Sequence, residues 1–350
     1  RLRGHQATLI VRRGFELEER AAARGLPVLS LTFNSGFNPL DDGRDIAALR
    51  RFIAEQRPDV LHCHRGKDHW LAAAAAAGTG LPMVRTRHVV VPMAGHIFNR
   101  WLLARRTDEV IAVSEAAAQS LGALRPLLGG RLHVILSAVD VERFSPCRRS
   151  ESLRAQLGAG APDTLLVGLV ARLQRIKGQE VFLQAAAEVA RTRPNVRFLI
   201  AGRGTEKRFA RLRARAEELD LGERVAFRGW LDNVESVIAS LDVSVVASLG
   251  SEGSSRITYE SMASGVPVAA TAVGGIPEIL TDGVTGLLVP PGDASALARA
   301  IGRLCDEADF RARLSKAALQ RILEYHTYDR WIADTTAVYE AARNRRGALS

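Results

Sequence analysis

Residues 251–280 read SEGSSRITYESMASGVPVAATAVGGIPEIL. Two glutamates, Glu252 and Glu260, stand eight positions apart. Gly250 and Gly253 flank the first, which places it in a loop, while the second lies on a run with helical character. Ser254 or Ser255 is positioned to cap that helix, because a hydroxyl can satisfy an unpaired amide of the first turn. Gly265 stands where a left-handed glycine ends a helix, and Pro267 cannot continue it. A short apolar strand follows, and Gly274-Gly275 opens the next turn. Loop, helix, strand and turn in this order are the punctuation of a parallel α/β sheet. Glu252 then lies at the positive end of the helix dipole, beside amides that suit an anion. Two carboxylates and a row of amides around one crevice suit a hydroxyl-rich ligand that carries a phosphate.

Outward from this segment, apolar strands alternate with helical runs in both halves of the chain. Strands are predicted at 7–11, 28–31, 60–63, 83–86, 110–113 and 133–136. The second half repeats the scheme at 165–170, 197–201, 225–228, 243–246, 268–270 and 287–289. Helices fall between them, for example over 45–56 and 115–121. This alternation predicts two Rossmann-like domains with parallel sheets, whose ligands bind beyond the carboxyl ends of the strands. The pattern lapses over 145–160, where Pro146, Gly158 and Gly160 appear. The expected division is a first domain 1–146, a linker 147–160, a second domain 161–325 and a terminal helix within 326–350.

At 350 residues, 47% hydrophobic and 25% charged, the composition is that of an ordinary globular protein long enough for two cores. No apolar run is long enough to span a bilayer, and no leader is visible at the amino end. Cys63, Cys147 and Cys305 form no metal-like or redox pair, which suits a reducing cytoplasm. The net charge of +10 is almost entirely arginine and is spread along the chain. Two readings stay open: arginine-rich solvated faces, or attraction to anionic partners such as nucleotide diphosphates and acidic lipid headgroups. Nucleic acid is disfavoured, since aromatics are only 5% and are not interleaved with the basic residues.

The 251–280 segment resembles the retaining glycosyltransferases of family 4, which have the GT-B fold. The resemblance rests on Glu252 and Glu260 in Glu-x7-Glu, on Ser261-Met262-Ala263-Ser264-Gly265-Val266-Pro267-Val268, and on Gly274-Gly275-Ile276-Pro277-Glu278. Ser254-Ser255 stands where many members carry Phe-Gly, a change expected to reshape the sugar pocket. Gly168 to Gly178 resembles the family's Gly-Arg-Leu-x-x-x-Lys-Gly, with Ala171 for the usual glycine. Arg172 and Lys177 combine a planar fork and a point charge suited to a diphosphate. Val139 to Pro146 resembles the interdomain segment, with Ser137-Ala138 in place of Asn-Gly. The 325–339 region resembles the helix that crosses back to the first domain. Residues 5–11 resemble the family's second strand, so the chain reads as lacking the first strand and its Gly-Gly loop.

The resemblance implies sugar transfer from a nucleotide-diphosphate sugar to an acceptor hydroxyl with retention, in envelope polysaccharide, lipopolysaccharide or glycolipid synthesis. It implies catalytic roles for His88, Glu252, Arg172 and Lys177. Donor contacts are expected from Arg172, Lys177, Gly204, Glu252, Gly253, Ser254, Ser255, Glu260, Gly274 and Gly275. No metal or other cofactor is expected. A glycan or lipid-linked acceptor, a cytoplasmic location and peripheral contact with an anionic membrane complete the expectation. His64, Arg65, Lys67 and His69 are the acceptor-side candidates. His62 and His64 alternate along a strand and are expected on opposite faces. The alternatives for this group are a metal site, for which no spacing speaks, or purely structural roles. Trp230 reads as packing ahead of stacking near the base, and Gly202-Arg203-Gly204 reads either as a tight turn or as part of the nucleotide side. A nucleotide-sugar epimerase of the same fold and an inactive nucleotide-sugar-binding protein are the competing functions.

Overall fold

A computed structural model describes residues 4–347. In the first half β1 (Leu9–Arg12), α1 (Glu16–Ala22), β2 (Val28–Leu31), α2 (Pro39–Gln56), β3 (Leu61–Cys63), α3 (Gly66–Ala75) and β4 (Met83–Arg87) alternate. They are followed by α4 (Ile97–Arg105), β5 (Glu109–Ala112), α5 (Glu115–Gln119) and β6 (Leu132–Val134). The strands form two parallel groups, β1-β2 and β3-β4-β5-β6. The single sheet expected for this half is therefore divided: among the described residues no strand pairs with both β1 and β3.

The second half runs α6 (Glu151–Gln156), β7 (Leu165–Val170), α7 (Gln179–Thr192), β8 (Val196–Ala201), α8 (Glu206–Glu218), β9 (Val225–Arg228) and α9 (Val234–Ala239). It continues through β10 (Val243–Val246), α10 (Arg256–Ala263), β11 (Val268–Thr271), α11 (Ile276–Ile279), β12 (Leu287–Val289), α12 (Ala294–Asp306) and α13 (Ala308–Tyr325). Its strands make one parallel sheet in the order β12-β11-β10-β7-β8-β9. Helices cover both faces, so the strands are apolar throughout rather than alternating. β7 illustrates this: Val167 and Leu169 enter the core on one face, Leu166 and Val170 the core on the other.

The segment expected as a linker is structured. α6 buries Arg154, whose guanidinium bonds Asp242 Oδ2 and the Ser240 carbonyl, both at 2.8 Å, and the Thr164 carbonyl at 2.7 Å. Ser240 and Asp242 lie far along the chain, which is why composition alone suggested a lapse. The last helix, α14 (Tyr328–Gly347), crosses back to the first half. It packs Val338 and Ala342 against Val84 and Ile111, and Arg346 pairs with Asp108 at 2.7 Å. No helix of the described residues is long and apolar enough to cross a membrane.

Candidate active site

The second sheet reverses its strand order between β7 and β10. The chain leaves β7 outward through β8 and β9, then returns to β10 on the other side. Loops leaving the carboxyl ends of two such neighbours diverge and open a crevice. The loop after β7 carries Arg172 and Lys177, and the loop after β10 carries Ser248 and Glu252. Gly178 holds the two loops together. Its φ is 68°, and a Cβ there would stand 1.8 Å from the Ala247 carbonyl oxygen.

This approach sets Lys177 Nζ against Glu252 Oε1 as an ion pair. Ser248 donates its hydroxyl to the same carboxylate oxygen at 2.5 Å. Thr271 in turn donates to the Ser248 carbonyl at 2.6 Å. Glu252 is only 6% exposed. The residue before it, Ser251, is held at φ 57°, a left-handed conformation that strains a residue with a side chain. Arg172 is exposed and forms no ion pair among the described residues, so its guanidinium is available to a ligand.

Glu260 lies on α10, mostly buried, with Arg256 one turn earlier at 3.5 Å. Burial raises its pKa, and Arg256 and Arg143 oppose the rise. The expected cap does not form. Ser255 occupies the N-cap position without a side-chain cap bond, and its hydroxyl is buried without a partner. Ser254 is half-buried beside it. Gly204 is pressed on Leu173, whose side chain a Cβ would meet at 2.7 Å.

The first half closes against this crevice. A Cβ at Gly253 would stand 1.9 Å from the His88 carbonyl oxygen, and one at Gly275 would stand 2.8 Å from Ser114 Cβ. Glu278 accepts from the amides of Glu115 at 2.7 Å and Ala116 at 2.9 Å, capping α5 from across the seam. Arg203 pairs with Glu16 at 2.8 Å. One donor contact is corrected here: the Gly275 amide donates to the Glu252 carbonyl at 2.9 Å and is not free for a sugar. Gly274, at φ 54°, lets the turn lie on that same carbonyl. This pair of glycines shapes the Glu252 loop by close packing.

On the opposing wall three imidazoles are stacked. His64 Nδ1 lies 3.0 Å from His88 Nε2, and their rings are 5.2 Å apart and nearly parallel. The His62 ring lies 4.3 Å from that of His64, tilted by 31°, which corrects the expected opposite faces. Residues two apart on an extended chain line the same face, so the alternation itself brings His62 and His64 together. His62 also bonds the Tyr339 hydroxyl at 2.7 Å and the Thr86 hydroxyl at 2.6 Å. Burial first, then the neighbouring imidazoles and Arg85, lowers His62 to about 3. The same causes lower His88 to about 4. The stack is therefore neutral near pH 7.

The other acceptor-side candidates separate. Arg65 is exposed at the start of α3. Lys67 is committed elsewhere: its Nζ bonds the Gly36 carbonyl at 2.9 Å and pairs with Asp42. His69 is a core residue, 1% exposed and bonded to Thr107 at 2.9 Å, because it lies on the inward face of α3. Trp230 does not pack inward. It is half exposed, with the Arg203 guanidinium 3.8 Å above its ring. Tyr339 and Ser248 join the site without a local sequence signal, since their partners are set by the fold, whereas Glu278 belongs to the Gly-Gly-x-Pro-Glu motif but caps α5.

The family described as Glycosyl transferases group 1 matches residues 164–307, and that described as Glycosyltransferase Family 4 matches residues 1–143. The D-inositol 3-phosphate glycosyltransferase of Acidothermus cellulolyticus is 31% identical, covering 87% of this chain and 72% of that protein. A putative glycosyltransferase of Bacillus subtilis is 30% identical over 84% of this chain and 79% of its own length. A glycosyltransferase structure from Rickettsia africae superposes with TM-score 0.89 at 19% identity, covering 97% of this chain and 91% of that one. The Anabaena protein HepE, in complex with UDP and glucose, superposes with TM-score 0.80 at 23% identity, covering 95% and 91%. The chain therefore belongs to the group 1 glycosyltransferases of family 4, and its two α/β halves have the GT-B fold.

Proposed function

We propose that the enzyme transfers a sugar from a nucleotide-diphosphate sugar to an acceptor hydroxyl with retention of configuration. The observation that carries this reading is the buried Lys177–Glu252–Ser248 cluster at the strand-order reversal. Lys177 and the free Arg172 hold the diphosphate and neutralise the charge that develops on it as the bond to the sugar breaks. Glu252 accepts hydrogen bonds from sugar hydroxyls, Glu260 from the ribose, and the 253–255 loop lies beside the sugar. The bond between the anomeric carbon and the diphosphate oxygen breaks, and the acceptor oxygen bonds on the same face. The acceptor proton passes to the departing phosphate oxygen, and His88 stands on the opposing wall next to the reacting centre. No metal is required in this scheme.

The Anabaena neighbour, solved with UDP and glucose, supports a nucleotide-sugar donor. Relatives named for glycosyl transfer to D-inositol 3-phosphate and for sulfoquinovosyl transfer support a hydroxyl-bearing acceptor, which the reading extends to glycolipid and envelope-glycan precursors. Three free cysteines are consistent with action in the cytoplasm. The test is a thermal-shift panel of UDP-, GDP- and ADP-sugars on the parent chain and on Lys177→Ala and Glu260→Ala. One donor family is expected to raise the melting temperature of the parent, and both substitutions to diminish the shift. Unchanged shifts in both variants would refute the assignment.

A further inference from the structure

Large exposed apolar side chains gather on one rim of the molecule. The loops and helix starts beyond the carboxyl ends of β2 and β4 carry Phe37 and Leu40, then Val91, Ile97, Phe98 and Trp101. Ile97 and Phe98 are each 76% exposed, and Phe37 is 79% exposed. Lys67 at the start of α3 bonds the Gly36 carbonyl, and β3 runs parallel to β4, so these loops share one end of the first half, the end that also bears His88. The family assignment does not require this concentration of apolar surface.

Charge follows the same surface. No acidic residue occurs between Asp68 and Asp108, a stretch that contains five arginines. Arg85 and Arg87 are used internally, by Asp68 and Ser120. Arg100 and Arg105 are exposed and form no ion pair among the described residues. At about 100° per residue, Ile97 and Trp101 fall within about 40° of each other on α4. Arg100 lies about 60° to one side of Ile97, and Arg105 lies on the same outward face one turn beyond Trp101. Leu102 and Leu103 face the opposite way, into the core. An outward apolar stripe with a tryptophan, bordered by free cations, is the pattern of an interfacial helix. A solvated helix would reverse it.

We infer that this rim docks the enzyme on an anionic lipid bilayer, with Ile97, Phe98 and Trp101 entering the headgroup boundary and Arg100 and Arg105 meeting lipid phosphates. Apolar burial and charge attraction act together there, each cation adding to the affinity for an anionic leaflet. Docking in this pose brings His88 and the acceptor wall toward the membrane plane. The inference deepens the acceptor part of the proposed function and rests on it for what the pose accomplishes. The docking itself is read without any sugar donor, so either reading can fail while the other stands.

The test is co-sedimentation of the full chain with vesicles of phosphatidylcholine alone or mixed with phosphatidylglycerol. The parent is expected to partition onto the anionic vesicles, with a blue shift of tryptophan emission that Trp101→Phe removes. Ile97→Ser/Phe98→Ser/Trp101→Ser is expected to lower the partition by at least about tenfold at any salt. Arg100→Gln/Arg105→Gln is expected to lower it by about tenfold at low salt and less at high salt. All six side-chain changes lie on the surface, and unchanged nucleoside diphosphate binding checks that the variants are folded. Equal partition of the parent on both vesicle types, or of the triple variant and the parent, overturns the inference. Self-association of the chain that the triple variant abolishes, without vesicle binding, assigns the face to a second copy and also overturns it.

Discussion

Across the cleft, Glu252 is buried against Lys177 and Ser248 on one wall, while His62, His64 and His88 form an uncharged stack on the other. The first wall is held by charge and by glycines that allow two loops to touch. The second is held by ring stacking and by a hydroxyl from α14, the helix that returns from the far end of the chain. A charged wall suits a ligand whose own charge is large and constant. A neutral wall suits a hydroxyl that must approach without an ion competing for it. The asymmetry implies that substitutions on the first wall act through ligand binding, whereas those on the second leave ligand binding intact.

The largest expected effect is at Glu252. Glu252→Ala should lower kcat/KM for donor consumption by about a hundredfold to a thousandfold, the usual loss when one preorganised polar contact leaves a reaction centre. Release of nucleoside diphosphate over time measures it. A near-normal rate would remove the first wall from the chemistry. Next is the contact between walls. Gly253→Ala places a Cβ against the His88 carbonyl, and overpacking of this kind costs about 2 kcal/mol. Thermal unfolding should show the loss, together with a larger radius by solution scattering as the seam opens.

The buried, uncharged imidazoles of the first half make a pH prediction. His69 has its pKa lowered by burial from 6.5 to about 3. As pH falls below 6.5 the unfolded chain takes up a proton that the folded chain refuses, so stability is lost with acid. The slope from this residue is at most about 1.4 kcal/mol per pH unit. Denaturant unfolding at stepped pH measures it, and His69→Gln should flatten the curve by that share. An unchanged curve in the variant would show that His69 protonates freely in the folded chain. The smallest effect is expected at the seam cap. Glu278→Gln removes a carboxylate from the N-terminus of α5 and should cost about 1 kcal/mol. The check is the same unfolding measurement, with catalysis little changed.

Much of the second half was legible from local pattern. The strands at 165–170, 225–228, 243–246 and 287–289 coincide with β7, β9, β10 and β12, because buried parallel strands are continuous apolar runs between turn residues. The Glu252–Glu260 spacing located the crevice because both carboxylates sit on one loop-helix unit. What could not be read depends on partners distant in sequence. The Gly275 amide is taken by the Glu252 carbonyl, and Ser255 leaves its helix uncapped. Lys67 is drawn to Gly36 and Asp42, and His69 turns into the core where Thr107 meets it. The His62–His64 contact, by contrast, follows from the strand period of two, which puts residues two apart on one face. The structure in 147–160 follows from the burial of Arg154 against Asp242, which no local composition announces.

The most direct test of the two-wall account is calorimetric titration of the chain with UDP, GDP and ADP, repeated for Lys177→Ala, Glu260→Ala and His64→Ala. The account predicts that one nucleoside diphosphate binds the parent chain. It further predicts that the first two substitutions weaken this binding by about tenfold or more, as loss of a charge-assisted contact does, while His64→Ala leaves the affinity unchanged. Binding that survives Lys177→Ala and Glu260→Ala but falls with His64→Ala would contradict it.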